Sequence, residues 1–185
     1  MSDVELIRSM LTAHTDFPKK GIVFLDMFPI LRNPVAFEVL ITHLTHHIMS
    51  ETISPARGNV KKIDVVIGLE ARGFLLGPII AMRLGAAFVP IRKKGKLPGR
   101  CITATYQKEY GSDSFDIQAD AVIPGDNVVI IDDLIATGGS AKAAGALVKQ
   151  LGGNVIEYIF VVGLVFLKGH EQLDAPAYSM IEVLE

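Results

Sequence analysis

Four short runs of β-branched and other apolar residues set the fold of this chain. They are mostly continuous rather than alternating, which is typical of strands buried on both faces of a parallel sheet. Segments with helical spacing lie between them, over 74–84 and 140–151. The runs occupy residues 63–67, 87–91, 128–131 and 156–162. This alternation predicts an α/β fold, a mostly parallel twisted sheet flanked by helices, with ligands bound beyond the carboxyl ends of its strands.

Length, charge and cysteine content narrow the class of protein. The chain has 185 residues and a net charge of −2, which suits one globular domain over 1–185 and gives no basic field for nucleic acid. Cys101 is the only cysteine, which fits a reducing compartment. The N-terminus is acidic where a secretory signal would be basic, and the most apolar stretch, 159–167, is too short to span a bilayer. We therefore expect a cytoplasmic protein with no nucleic-acid or membrane partner.

Two segments lie outside the core of strands and helices. The first contains helix-like stretches near Leu6 and over about 36–49. The second is a long polar stretch between Gly95 and Asp126, with turn residues at 98–99 and 111–113. Because a connection of that length is usually functional, we expect a lid loop over about 95–120.

The strongest motif follows the third apolar run. Asp132 and Asp133 come directly after the buried strand, where paired carboxylates can accept hydrogen bonds from two ribose hydroxyls or hold a divalent cation, directly or through water. The next residues open a helix, so their free N–H groups and the positive helix end can cradle a phosphate. Glycines let the backbone close around the anion, and two hydroxyls add donors. The loop residues are Ala136, Thr137, Gly138, Gly139 and Ser140. Together these features predict a receptor for a ribose that carries a 5′-phosphate.

A purely structural role is the competing interpretation, in which the acids end a strand and the glycines turn the chain. That role would suffice for Gly138-Gly139 alone, but two acids, two hydroxyls and two glycines in register make it a poor account. The loop is neither a Walker loop nor a Gly-x-Gly-x-x-Gly turn. Residues 128–141 resemble the signature of the type I phosphoribosyltransferases, which bind 5-phosphoribosyl-1-pyrophosphate. The resemblance implies the family's fold, a mostly parallel sheet with a flexible lid and a variable base-capping hood.

Three further segments resemble the adenine-specific members of this family. They cover 17–26, 68–78 and 91–99, the last followed by 109–111, and they occur in the expected order along nearly the whole chain. The resemblance implies a type I phosphoribosyltransferase-like domain with its N-terminal hood within about 1–35. It also implies adenine contacts from Val23, Phe24, Leu25 and Arg72. Leu25 replaces a charged residue of many relatives and Ala71 replaces a common Ser, which affects the detail of the base pocket.

The second and third of these segments indicate a pyrophosphate site. Residues 68–73 form a turn after a buried strand, where backbone N–H groups could hold pyrophosphate and Arg72 supplies a planar charged fork. Four cations lie within 92–96; such a run is usually solvated surface, but here it follows a strand end and opens the lid. The resemblance implies a cis peptide between residues 70 and 71. It also implies pyrophosphate contacts from Glu70, Ala71, Arg72, Arg92, Lys93, Lys96 and Tyr110, with Arg92 able to reach a neighbouring subunit's site.

The resemblance supplies the catalytic roles as well. It implies that Glu109 and Tyr110 close over the reaction centre, where Glu109 acts as the acid–base group and lid closure excludes water. Arg72 would stabilise the departing charge. Mg²⁺ would be the cofactor, held by Asp132 and Asp133. A homodimer is expected on the same grounds.

Two features are interpreted as having no functional role. His43, His46 and His47 have ligand-like spacing on a helix, but a zinc site needs three or four ligands and no acid or Cys partner is close in sequence. We therefore expect an exposed helix face. Cys101 lacks a Cys–His catalytic context.

The resemblance implies transfer of the 5-phosphoribosyl group from 5-phosphoribosyl-1-pyrophosphate to adenine, with AMP and pyrophosphate as products. Two alternatives stay open at this point. The base could be another purine, such as hypoxanthine, guanine or xanthine. The chain could also be a non-catalytic regulatory relative that retains the sugar-phosphate loop; retention of Arg72, Lys93, Lys96 and Glu109 argues against that.

Overall fold

The central element is a seven-stranded sheet, seen in a computed structural model that describes residues 1–17, 20–21, 23–54, 60–107 and 112–184. The strands are β3 Val65–Leu69, β4 Ala87–Lys93, β5 Cys101–Gln107, β6 Ser112–Gln118, β7 Asn127–Ile135, β8 Asn154–Leu164 and β9 Ala177–Val183. Their order in the sheet is β5-β6-β4-β3-β7-β8-β9. The pairs among β4, β3, β7, β8 and β9 are parallel, and the β4–β6 and β5–β6 pairs are antiparallel. The predicted mostly parallel α/β sheet is therefore confirmed.

Helices cover both faces of the sheet. They are α1 Asp3–Met10, α2 Phe28–Leu31, α3 Pro34–His47, α4 Gly73–Leu84 and α5 Gly139–Gln150, and a π-helical turn, Ile48–Thr52, extends α3. Alternate strand residues face opposite layers: Val66 belongs to the core beside α3 and α4, whereas Val65 and Ile67 belong to the core beside α5. This explains why the strands have continuous apolar runs.

Local sequence signals fix several helix ends. Ser2 and Glu5 form a capping box at the start of α1. The Asn33 side chain accepts hydrogen bonds from the backbone N–H groups of Val35 and Ala36 at the start of α3. None of the helices in the described parts of the chain has the length and apolar character needed to cross a membrane.

A small two-stranded sheet lies apart from the main one. It pairs β1 Thr12–Thr15 with β2 Val23–Asp26 in antiparallel register. The Phe17 and Phe24 rings meet edge to face, with centroids 5.3 Å apart. The segment resembling the family's hood therefore includes a strand that presents an aromatic ring.

The segment expected to be a lid loop contains two strands. Residues 101–107 and 112–118 form an antiparallel hairpin that joins the main sheet through β4, and the connection over 108–111 lies outside the described residues. Apolar side chains at alternate positions pack on the core beside α5: Ile102, Ala104 and Tyr106 from β5, and Phe115 and Ile117 from β6. The sequence did not reveal these two strands because intervening Thr, Ser and Asp residues obscured the period-two pattern.

The histidines of α3 also differ from expectation. His46 is exposed, but His43 and His47 are partly buried. The His47 ring stacks on Tyr178, and its Nε2 lies 3.2 Å from Glu157 Oε2. The acid partner comes from β8, 110 residues away in sequence, so inspection of nearby residues missed it.

Candidate active site

The turn after β3 and the end of β7 meet at one edge of the sheet. β3 and β7 are parallel neighbours, so their carboxyl ends lie side by side. Gly73, which starts α4, lies directly on β7: a Cβ there would sit 2.5 Å from the Ile131 carbonyl oxygen. This close approach brings the 70–72 turn beside Asp132 and Asp133. The peptide bond between Glu70 and Ala71 is cis, as the resemblance implied.

A cavity of about 280 Å³ opens between these two strand ends. It is lined by most of the residues that the sequence motifs singled out: Glu70, Arg72, Lys93, Asp132, Asp133, Ala136, Thr137, Gly138, Gly139 and Ser140. Gly138 has φ +82°, a left-handed conformation that favours glycine, and it immediately precedes α5. The first backbone N–H groups of α5 therefore border the cavity, where they can donate hydrogen bonds to an anion.

Arg72 connects the carboxylates to the hood. Its Nε donates a hydrogen bond to Asp133 Oδ2. Its guanidinium carbon also lies 5.3 Å from the centroid of the Phe24 ring, within cation–π distance. Asp133 is buried and Arg72 is about one-third exposed, at 36% of its side chain. One arginine thus spans the space between the predicted base site and the predicted sugar site.

The two carboxylates have different environments. The Asp133 backbone N–H donates to Asp132 Oδ1 at 2.9 Å. Burial, and next the neighbouring Asp133 carboxyl group, raise the pKa of Asp132 well above its usual value. Asp133 instead has Arg72 as a hydrogen-bonded partner. Ligand cations or hydroxyl donors at this position would relieve the repulsion between the two acids.

Glu70 organises the basic run at the end of β4. Arg92 donates to both Glu70 oxygens at 3.2 and 3.1 Å, and the Lys93 backbone N–H donates to Glu70 at 2.9 Å. Arg92 also donates to the Lys96 carbonyl oxygen at 3.0 Å. The hydrogen bond from Arg92 is the main cause of the lowered pKa of Glu70. Glu70 therefore faces the basic turn as a carboxylate, and an anion in the cavity would depend on the neighbouring cations.

The carboxylate pair suits a magnesium ion that is shared with a substrate. Among the described residues, no group of three or more His, Cys, Asp or Glu side chains could hold a metal. Mg²⁺ typically binds one or two carboxylates and completes its octahedral shell with water and substrate phosphates. Asp132 and Asp133 match that donor set.

Several predicted site residues lie outside the cavity lining. Val23, Phe24 and Leu25 belong to the hood strand β2, and Phe24 reaches the site through Arg72. Ala71, Arg92 and Lys96 do not line the cavity either; Arg92 lies behind it on Glu70, and Lys96 is exposed. Glu109 and Tyr110 lie outside the described residues.

The cavity also includes residues that the motifs did not reveal. Tyr106 and Phe115 come from the β5–β6 hairpin, and Phe160 comes from β8. The alternation of apolar residues in the hairpin could have identified the first two. Phe160 lies within a continuous apolar run, so the surrounding sequence does not indicate that its side chain lines a cavity.

Comparison with known proteins agrees with this geometry. Residues 38–184 match the profile of the Phosphoribosyl transferase domain. The adenine phosphoribosyltransferase of Yarrowia lipolytica is 52% identical over 175 residues, which cover 95% of this chain and 93% of that protein. The chain therefore belongs to the phosphoribosyl transferase family, in its adenine phosphoribosyltransferase branch.

Solved structures support the same placement. The crystal structure of the Saccharomyces cerevisiae adenine phosphoribosyltransferase, complexed with an imino-altritol bisphosphate and adenine, superposes with a TM-score of 0.90. It is 50% identical, and the alignment covers 96% of this chain and 98% of that one. A Trypanosoma brucei relative in complex with AMP, pyrophosphate and ribose-5-phosphate has a TM-score of 0.82 at 28% identity, with 98% and 80% of the two chains covered. The type I fold predicted from residues 128–141 is confirmed.

Proposed function

We propose that this protein transfers the 5-phosphoribosyl group from 5-phosphoribosyl-1-pyrophosphate to adenine, giving AMP and pyrophosphate. The main observation that supports this proposal is the cavity, where Arg72 and Lys93 lie beside Asp132, Asp133 and the 136–140 loop. Relatives named for this activity are about half identical over nearly the full chain, which favours adenine over other purines. The two substrates and two products are the proposed small-molecule partners.

The sugar phosphate is proposed to bind across the end of β7. Asp132 and Asp133 accept hydrogen bonds from the two ribose hydroxyls, and the 5′-phosphate lies against the backbone of the loop from Ala136 to Ser140. The pyrophosphate faces the 70–72 turn with Lys93. Lys93 Nζ lies 3.7 Å from Asp113 and is more than half exposed, so it can turn toward an incoming anion.

Adenine is proposed to bind between the hood and the sheet. A planar base stacked between Phe24 and Arg72 needs about 7 Å between the two groups, which is two van der Waals separations. The observed separation is 5.3 Å. Base binding therefore moves the hood and Arg72 apart by about 2 Å. Val23 and Leu25 flank Phe24 on the same strand and would border the base.

The reaction breaks the bond between C1 of the ribose and the pyrophosphate oxygen. The electron pair leaves with the pyrophosphate, a purine nitrogen attacks C1 from the opposite face, and the proton of that nitrogen is released. Arg72 and Lys93 stabilise the departing negative charge. Mg²⁺ held by Asp132 and Asp133 would neutralise charge on the phosphates. Glu109 as the proton acceptor, with Tyr110 closing over the centre, remains a prediction from the family resemblance.

The domain organisation is proposed on the same basis. Residues 1–185 form one domain in which β1 and β2, within about 1–35, cap the base. The 95–120 segment, built largely from the β5–β6 hairpin, covers the sugar. Free Cys101 fits the expected reducing cytoplasm.

A homodimer is proposed from the surface of α4. This helix is apolar around most of its circumference, which is typical of a helix covered on all sides. Leu75 and Met82 are nevertheless exposed, Met82 at 75%. Replacing Leu75 with Glu should shift the protein toward monomer in sedimentation velocity. The control is Ile123→Glu, since Ile123 is a large apolar residue that is more exposed than Leu75, at 68% against 37%, and lies on a loop outside α4. This substitution should leave the sedimentation coefficient unchanged.

The activity is tested by measuring pyrophosphate release with a panel of bases. The proposal expects release with adenine and Mg²⁺, and far less with hypoxanthine, guanine or xanthine. Release should stop when Mg²⁺ is chelated and return when it is restored. Preferential use of another purine would transfer the assignment to that base, and no release with any base would favour the non-catalytic alternative.

A further inference from the structure

The turn from Lys168 to Gln172 packs against the back of the phosphate loop. Gly169 is buried, and a Cβ on it would collide with the Ala136 carbonyl oxygen and lie 2.8 Å from the Gly138 backbone nitrogen. In the reverse direction, a Cβ on Gly138 would collide with the Gly169 carbonyl oxygen and lie 3.2 Å from the Gly169 Cα. Two backbone segments thus touch with no room for a side chain between them.

His170 anchors this turn to the sheet. Its Nε2 lies 2.9 Å from the hydroxyl of Ser179 on β9. Its ring also meets the Phe160 ring edge to face, with centroids 6.2 Å apart. Gly163 on β8 leaves space for this contact, since a Cβ there would lie 2.5 Å from Ser179 Oγ and 2.9 Å from His170 Cε1. Because Phe160 lines the cavity, the anchor stands directly behind the cavity wall.

The phosphate loop needs such a support. Its Gly138 is in the left-handed conformation, and its backbone donors must keep one orientation to receive an anion. Donors that are fixed before the ligand arrives bind it more tightly than donors that must reorganise. Among the described residues, no backbone hydrogen bond joins the 136–140 loop to the 168–172 turn. The turn therefore supports the loop through van der Waals contact alone.

We propose that Gly169 and His170 are positioning residues for the 5′-phosphate, with Ser179 holding His170 in place. None of the three touches substrate in this account. The inference rests on the proposed function of the 136–140 loop as the 5′-phosphate site.

Gly169→Ala is the direct test. The added methyl group must displace the backbone at Ala136 and Gly138, so KM for 5-phosphoribosyl-1-pyrophosphate should rise by roughly tenfold or more. KM for adenine should change by less than about twofold, because the hood is untouched. Gly153→Ala is the control: its Cβ would also be crowded, 2.7 Å from a Val122 methyl group, but by side chains rather than backbone and at the opposite end of β8. It should lower stability and leave both KM values unchanged.

Ser179→Ala keeps the inference testable if Gly169→Ala does not fold. Removing the hydroxyl frees His170 without crowding the loop, and KM for the sugar substrate should again rise selectively. His170→Gln, which can still donate to Ser179, should retain more of the wild-type KM than His170→Ala. Wild-type KM in Ser179→Ala, or an equal increase in Gly153→Ala, would overturn the proposal.

A readout without turnover separates this inference from the proposed function. The backbone amide resonances of Gly138 and Gly139 should shift in ¹⁵N spectra of substrate-free Ser179→Ala and stay in place in Gly153→Ala. Shifted resonances together with an inactive wild-type protein would support the structural contact and refute the proposed enzyme activity. Unshifted resonances together with an active wild-type protein would refute the positioning role alone.

Discussion

Arg72 and Asp133 should depend on each other energetically, and the structure allows the size of that dependence to be worked out. Exposed ion pairs contribute about 0.2–1 kcal/mol, whereas removing one partner of a buried pair costs about 3–5 kcal/mol. The Asp133 side chain is 6% exposed and the Arg72 side chain 36%. Solvent therefore reaches the arginine but not its acceptor, and we expect Arg72→Met to lower the free energy of unfolding by about 2 kcal/mol.

A double-mutant cycle measures the interaction itself. Arg72→Met, Asp133→Asn and the double variant are unfolded in urea without ligands. Because the neutral Asn needs no cation, Asp133→Asn should lower the free energy of unfolding much less in the Arg72→Met background than in the wild-type protein. The coupling free energy should be about 1–2 kcal/mol. Additivity of the two single changes within about 0.5 kcal/mol would refute the claim that Arg72 and Asp133 are energetically coupled.

Two further predictions concern groups buried away from the cavity. Burial, and next the hydrogen bond to a carboxylate, raise the pKa of Tyr158, so its stabilising contribution is complete below about pH 10 and is lost as the pH rises further. The loss of unfolding free energy between about pH 8 and about pH 11 should therefore be smaller in Tyr158→Phe; an identical loss would contradict the assignment. Glu157→Ala leaves His47 and a buried hydroxyl without their acceptor and should cost about 2–3 kcal/mol, whereas exposed His46→Ala should cost less than about 0.5.

The sequence predicted those parts of the molecule in which local pattern and tertiary role agree. Residues 128–131 form an uninterrupted run of β-branched residues, which suits β7 because this strand is covered on both faces. Asp132 and Asp133 follow directly, so their place at the carboxyl edge of the sheet, where they line the cavity, could be inferred without coordinates. The helix entrance at Gly138 could be recognised in the same way, from glycines and hydroxyls placed after a buried strand.

Other parts depend on contacts between distant segments, and the sequence does not encode these locally. Gly169 matters because its backbone touches the loop at Gly138, and an isolated glycine gives no sign of which segment approaches it. His47 was expected to be exposed because Glu157 lies on a different element. The β5–β6 hairpin was expected to be a loop because its apolar residues alternate with polar ones in a stretch that is polar overall.

The central claim is that the carboxylates of β7 and the entrance of α5 together hold a phosphorylated ribose. Titration of ¹⁵N-labelled protein with AMP tests this claim most directly, because the amides of the loop report on phosphate contact without any turnover. The largest chemical-shift changes are predicted at the amides of Thr137, Gly138, Gly139 and Ser140. In the double variant Asp132→Asn/Asp133→Asn, only the part of these changes that depends on ribose binding should be lost. Unmoved loop amides at saturating AMP, with shifts elsewhere on the surface, would contradict the account.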